Sequence, residues 1–173
     1  LQVDPERVVR DILLLSLAVW ATGVSRGLWR TVAGLLAIRA LCKMSPASRV
    51  DPVVLKALET VRPDCPIALR HIPGPVSASS WRFGKGTVFG SGNAADSLGD
   101  EERYEIYIHE LAHIQRHDSL KLLILSFIRA VFWFHPLAAL AANRYRNHLE
   151  ASCDAVAIRR GQIDRHAYAE LLV

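Results

Sequence analysis

Ile106-Tyr107-Ile108-His109-Glu110-Leu111-Ala112-His113-Ile114-Gln115-Arg116-His117-Asp118 is the stretch that decides how this chain is read. Residues four apart on a helix lie one above the other, so the imidazoles of His109 and His113 can reach one metal ion from the same side. Glu110 is turned about 100° from His109 around the helix axis. Its carboxylate can therefore reach a water at that metal without being a ligand. The spacing H-E-x-x-H is a zinc-peptidase signature. A five-residue pattern also arises by chance, as a surface helix that happens to carry two histidines, so its neighbours have to decide. Residues 104–114 contain neither Pro nor Gly and place Tyr104, Ile106, Tyr107, Ile108, Leu111, Ala112 and Ile114 around the motif. That is a sequence built to stay helical.

A catalytic zinc site takes three protein ligands and leaves its fourth position open. One known solution puts a third His six residues after the second with a Gly between, but those positions hold Ser119 and Arg116. His117 lies one turn beyond His113, yet on one straight helix it would stand about 12 Å from His109. It reads instead as a histidine at the helix C-terminus.

Glu150-Ala151-Ser152-Cys153-Asp154 supplies the better candidate. Glu150 and Asp154 share a helix face. Glu150 can complete a His, His, Glu site, and Asp154 can accept the spare ring N–H of a zinc histidine, fixing its tautomer and orientation. The alternatives are that Glu150 is an exposed partner of Arg146 one turn earlier, and that Cys153 is the ligand rather than a buried thiol.

Three spaced segments, HELAHIQRHD (109–118), FWFHPL (132–137) and RNHLEASCDAVAI (146–158), together resemble the BlaR/MecR family of membrane-anchored zinc metallopeptidases. The resemblance runs in order over roughly residues 67 to 160. It implies His109, His113 and Glu150 as Zn²⁺ ligands, Glu110 as catalytic base, and Asp154 as the matching acidic position behind the ligands. It also implies a sensor that cleaves itself or a cytoplasmic repressor after an external signal. No Ser-x-x-Lys motif occurs in this chain, so a β-lactam-acylated sensor domain and antibiotic sensing are not supported by it.

Composition bounds the function classes. At 173 residues, 51% hydrophobic and 22% charged, the chain can bury one ordinary core and leans apolar. Its net charge of +4 is spread along the sequence rather than clustered, which speaks against a nucleic-acid groove and equally suits anionic lipid headgroups. Cys42, Cys65 and Cys153 are odd in number and irregular in spacing, which argues for a reducing, cytoplasm-facing active site rather than a disulfide scaffold. The chain starts at Leu1, and the expectation is a fragment of a longer protein.

In chain order, Asp4-Pro5-Glu6 reads as a helix start. Ile12 to Ser25 then runs without a charge, short of the roughly 20 residues that span a bilayer. It is part of a spanning helix, an interfacial segment, or a helix packed on the domain. Residues 1–44 are thus expected as an apolar helical segment suited to membrane association, and 45–173 as the zinc metallopeptidase domain. Asp51-Pro52 opens a helix to Val61 with Val54, Leu55, Leu58 and Val61 as its apolar face. Residues 67–90 read as strands, with a hairpin at Gly84-Lys85-Gly86 and Thr87–Gly90 as the edge that pairs with extended substrate. Residues 91–99 read as a polar loop. The apolar stretch 120–142 is interrupted by Lys121, Arg129, His135 and Pro136 and reads as a buried or interfacial helix broken near Pro136. A helix follows to about Arg160, with Gly161 as its cap, and another begins at 164–173. The expected fold is α+β and mainly helical, a zincin-like metallopeptidase domain with a small antiparallel sheet on the H-E-x-x-H helix.

The expected reaction is hydrolysis of a peptide bond in a protein or peptide substrate, the chain itself included. Tyr145, His148 and His135 are the candidate donors to the oxyanion. The competing class is a non-catalytic, zinc-stabilised, membrane-proximal relay module, in which Glu110 would have no role.

Overall fold

The computed structural model describes residues 4–47, 52–72, 78–90 and 98–163. The loop over 91–97 and the helix expected over 164–173 lie outside the described residues. Helix α1 (Pro5–Met44) starts where Asp4 accepts a hydrogen bond from the Glu6 N–H at 3.1 Å, with Pro5 in the first helical position. It is one continuous helix of 40 residues, about 60 Å long, and none of its residues is buried. Helix α2 (Pro52–Val61) buries Val54, Ala57 and Val61, while Leu55, expected on that face, is exposed. Its chain turns out through Arg62 in a left-handed conformation, φ 51°.

Strands β1 (Ile67–His71), β2 (Ala78–Phe83) and β3 (Lys85–Gly90) form a sheet in the order β1-β3-β2. β2 and β3 are an antiparallel hairpin turning at Gly84, whose φ of 83° suits glycine. β1 pairs with β3 in parallel, so the sheet is mixed rather than antiparallel throughout. β3 becomes the central strand, with Gly86, Thr87, Val88 and Phe89 all buried. A continuous buried run is what a strand paired on both sides requires. Thr87–Gly90 is therefore not an edge; β1 and β2 are the edges.

Helix α3 (Asp100–Gln115) carries the histidine pair. The Glu102 carboxylate accepts the Gly99 N–H at 2.8 Å and fixes its start. Ile108, Leu111 and Ile114 point into the core with Ala57, Val61, Val88 and Ala157. At Gly86 the sheet approaches so closely that a Cβ would lie 2.6 Å from Ile67 Cδ1 and 2.9 Å from Ile114 Cγ2. Only glycine fits there. His117, at φ 58°, reverses the chain between α3 and α4 (Asp118–Val131). After a turn over 132–135, α5 (Pro136–Gly161) runs back past α3; Gln162, at φ 53°, takes the left-handed cap position expected of Gly161. The architecture is a mainly helical α+β domain with a small sheet on the motif helix.

α1 packs along α4. A Cβ on Gly23 would lie 2.1 Å from the Trp133 ring, and one on Gly27 would lie 2.6 Å from Ala130 Cβ. Trp20 Nε1 donates to the Val131 carbonyl at 3.1 Å, and Trp133 Nε1 donates to the Trp20 carbonyl at 3.3 Å. Around that seam much of the pair's surface is apolar and open. Leu13, Leu15 and Leu17 on α1 are exposed, as are Phe132, Trp133, Phe134, Leu137 and Leu140 around the α4–α5 turn.

Candidate metal centre

Position and direction of the two histidines follow from α3. Its inner face is apolar and buried, which turns His109 and His113 towards α5, where Glu150 and Asp154 stand one turn apart. His109 Nε2 and His113 Nε2 lie 3.1 Å from each other. Glu150 Oε2 lies 3.6 Å from the first and 3.4 Å from the second. Three donors bound tetrahedrally to one zinc at about 2.0–2.1 Å would stand about 3.3–3.4 Å apart. The three atoms already form a triangle of that size.

Both rings are held from behind. His109 Nδ1 lies 3.0 Å from Asp154 Oδ1, and His113 Nδ1 lies 3.0 Å from Asp118 Oδ2. Each carboxylate accepts an Nδ1–H, which leaves the lone pair of each Nε2 facing the triangle. Two lone pairs 3.1 Å apart cannot hydrogen-bond to each other; a shared cation relieves them. The residues present therefore fit a divalent zinc with nitrogen and oxygen donors.

Asp118 is the residue that the sequence reading missed. It is only 1% exposed, at the first turn of α4. Lys121 Nζ donates to it at 2.6 Å and Cys153 Sγ at 3.3 Å, while Arg116 Nε lies 3.5 Å away without hydrogen-bond alignment. Burial alone would push this carboxyl up, but hydrogen bonds from Lys121, His113 and Cys153 outweigh it and hold the group below the usual carboxylate range. It stays ionised and keeps His113 oriented. The available signal was an acid five residues after His113, just past the end of the motif helix. Its contact depends on the reversal at His117.

Cys153 is fully buried, and burial followed by the Asp118 carboxylate raises its thiol well above the ordinary range. It remains a thiol and a donor, 3.2 Å from His113 Nδ1, on the side of the ring away from the triangle. His135, at the start of α5, is fifteen residues from Glu150, about 22 Å along the helix. His148 and Tyr145 are exposed and turned about 160° and 140° away from Glu150 around the same helix. The structure brings none of these three oxyanion candidates to the triangle.

Glu110 is half-buried beside the pair, and among the described residues no hydrogen bond or ion pair engages its carboxylate. Glu150 is half-exposed, so the triangle opens to solvent on one side and is walled by α3 and α4 on the other.

No curated protein matches this chain. The family model described as BlaR1 peptidase M56 matches residues 3–173, which takes in α1, the sheet, both histidines, Glu110, Glu150 and Asp154. On that match over nearly its whole length, the chain belongs to the BlaR1 peptidase M56 family.

Proposed function

We propose that this chain is a zinc-dependent endopeptidase, a membrane-linked signalling or regulatory protease that cuts itself or a protein partner. The observation that carries the reading is the triangle of two imidazole nitrogens and one carboxylate oxygen, with Glu110 unengaged beside it. His109, His113 and Glu150 hold the metal. A zinc ion there supplies Lewis-acid polarisation of a scissile carbonyl and makes water acidic near neutral pH.

The remaining steps belong to the chain. Glu110 takes the proton from the attacking water and delivers it to the leaving amine nitrogen. Asp154 and Asp118 keep the two imidazoles in the tautomer that presents Nε2. Of the two edge strands, β2 is the one packed beside α3, and we assign extended substrate to its Ala78–Trp81 part, since unpaired N–H and C=O groups recruit a further strand and the Arg82 N–H is already taken by Ser119 Oγ.

Membrane association is supported by α1, whose most apolar 18-residue window has mean hydropathy 1.6 and is wholly unburied. It is further supported by the aromatic turn Phe132-Trp133-Phe134 that packs against α1. Cys42, Cys65 and Cys153 are all free thiols, which suits an active site facing the cytoplasm.

The test pairs zinc stoichiometry with proteolysis of self or a co-expressed partner. Glu110→Gln is nearly isosteric and touches no metal, so zinc should be retained while hydrolysis falls by about 10²–10⁴-fold. Full zinc with parental hydrolysis would remove Glu110 as the base. Full zinc without hydrolysis in the parent as well would leave the relay module as the better reading.

A further inference from the structure

We propose that the groove between α1 and α4 binds an anionic phospholipid, its phosphate held by Arg26, Arg30 and Arg129. The groove measures about 950 Å³, and all three arginines line it. Among the described residues none of the three has an ion pair or a hydrogen bond. Arg39, Arg144, Arg146 and Arg159 are likewise unpaired among the described residues, so what sets these three apart is the one groove that they share. Three unpaired cations on one groove repel each other, and an anion between them removes that repulsion.

Helix packing explains why they gather. Gly23 meets Trp133 and Gly27 meets Ala130, so the two helices run in opposite directions. Arg26 precedes one contact residue and Arg129 the other. In an antiparallel pair the residue before each contact turns to the same side. Arg30 stands one turn from Arg26 on that face.

Their surroundings along the helices select a lipid over a free anion. On α1 the uncharged run Ile12–Ser25, about 21 Å long, ends at Arg26. On α4 the aromatic turn Phe132-Trp133-Phe134 lies beyond Arg129, next to Trp20 and Gly23 of that same run. Exposed apolar residues flank the arginines on both sides, Leu17, Trp20 and Phe132 on one and Val32, Leu36, Ile124 and Phe127 on the other, so an anion held by them lies against apolar surface, as a lipid phosphate does and a free anion does not. From the arginines the groove continues along Ala18, Val19, Phe132 and Ala139, an apolar path for an acyl chain. The proposal rests on the membrane reading above and goes beyond it by naming a site and a headgroup charge.

The experiment uses the full chain in nanodiscs of phosphatidylcholine alone or mixed with phosphatidylglycerol. Lipid retained after transfer to detergent is counted by native mass spectrometry. The parent should retain phosphatidylglycerol at least about tenfold over phosphatidylcholine. The triple variant Arg26→Gln, Arg30→Gln, Arg129→Gln should enter both nanodiscs and keep its zinc content, yet lose the preference. Equal retention of the two lipids by the parent overturns the site. So does an unchanged preference in the triple variant, or full displacement of phosphatidylglycerol by millimolar inorganic phosphate. A chain that enters neither nanodisc overturns the membrane reading and this site with it, a result distinct from entry without selectivity.

Discussion

The two ends of α4 live under different rules. At its start, Asp118 is buried and surrounded by His113, Lys121, Arg116 and Cys153, each charge answered by a neighbour. At its far end, Phe127, Ile128, Phe132, Trp133 and Phe134 stand exposed beside an α1 that buries nothing of its own. The first region is explained by residues of the chain itself, except for the Nε2 lone pairs that ask for a cation. The second is not, because soluble surfaces rarely leave so much contiguous apolar area open. One helix therefore joins an interior answered by its own neighbours to a face left apolar and open among the described residues. Stability should follow the same division, with metal governing one end and amphiphile the other.

The largest effect expected is at the metal. His113→Ala removes one corner of the triangle and leaves Asp118 without its ring partner. Zinc content measured on the purified chain should fall from about one per chain to near none, with proteolysis at background. Incorporation into detergent or nanodiscs should be unchanged, since the α1–α4 seam is untouched. Loss of membrane incorporation together with zinc would break the division.

Next come the carboxylates behind the rings. Asp154→Ala and Asp118→Ala should each weaken zinc affinity or activity by about 10–100-fold, read by competition with a metal chelator. Asp118 should cost more in stability as well, because Lys121 and the buried Cys153 thiol lose their acceptor with it. Equal melting temperatures for the two variants would show that the Asp118 cluster adds nothing beyond orienting a ring.

These two carboxylates also mark what was legible in the sequence. Asp154 could be read, because its distance from Glu150 is a helical spacing, and helical spacings are local. So could the histidine pair, the start of α1 at Asp4 and the break near Pro136. Asp118 could not: its contact with His113 depends on the left-handed turn at His117, which nothing about that residue announces. The small sheet was read as well, but its pairing was not, for the same reason. The hairpin at Gly84 was local and was read, whereas β1 joining β3 in parallel is a long-range choice. Burial of Gly86 to Phe89 made β3 central, and the substrate-pairing edge moved to β2. Leu55 was placed on the inner face by period alone, but the position packed in the core belongs to Ala57, where a small residue lets α2 approach α3.

A middling effect is expected at the seam. Gly27→Leu puts a side chain where even a Cβ would lie 2.6 Å from Ala130 Cβ and 2.9 Å from Ala130 Cα. Overpacking of this kind typically costs about 1–3 kcal/mol. The melting temperature in detergent should fall, while zinc affinity changes by less than about threefold. If zinc affinity falls along with the melting temperature, α4 transmits strain from α1 to Asp118, and the two ends are coupled rather than separate.

The smallest effect lies in the pH dependence of the interior region. Arg82 holds Asp64 through two hydrogen bonds, at 2.6 and 3.2 Å, and donates also to the Ile114 carbonyl at the end of the motif helix. The Arg82 guanidinium pulls the Asp64 carboxyl below its ordinary value of 3.8. A carboxyl depressed on folding adds stability above its unfolded value and loses it as pH falls through the folded one. The contribution is thus complete at neutral pH and fades only below about pH 4. Because Asp64 is well exposed, water and salt screen the pair and the effect stays small. Asp64→Asn should therefore lower the melting temperature slightly at pH 5, and the gap from the parent should narrow as the pH falls below about 4. The same scan on the α1 side should show no matching change, because among the described residues the atoms nearest Gly23 and Gly27 in the α1–α4 seam belong to Trp133 and Ala130, which do not titrate there. A gap that widens on acidification would mean that Arg82 relies on Ile114 rather than on Asp64, and that the sheet is tied to the motif helix without this ion pair.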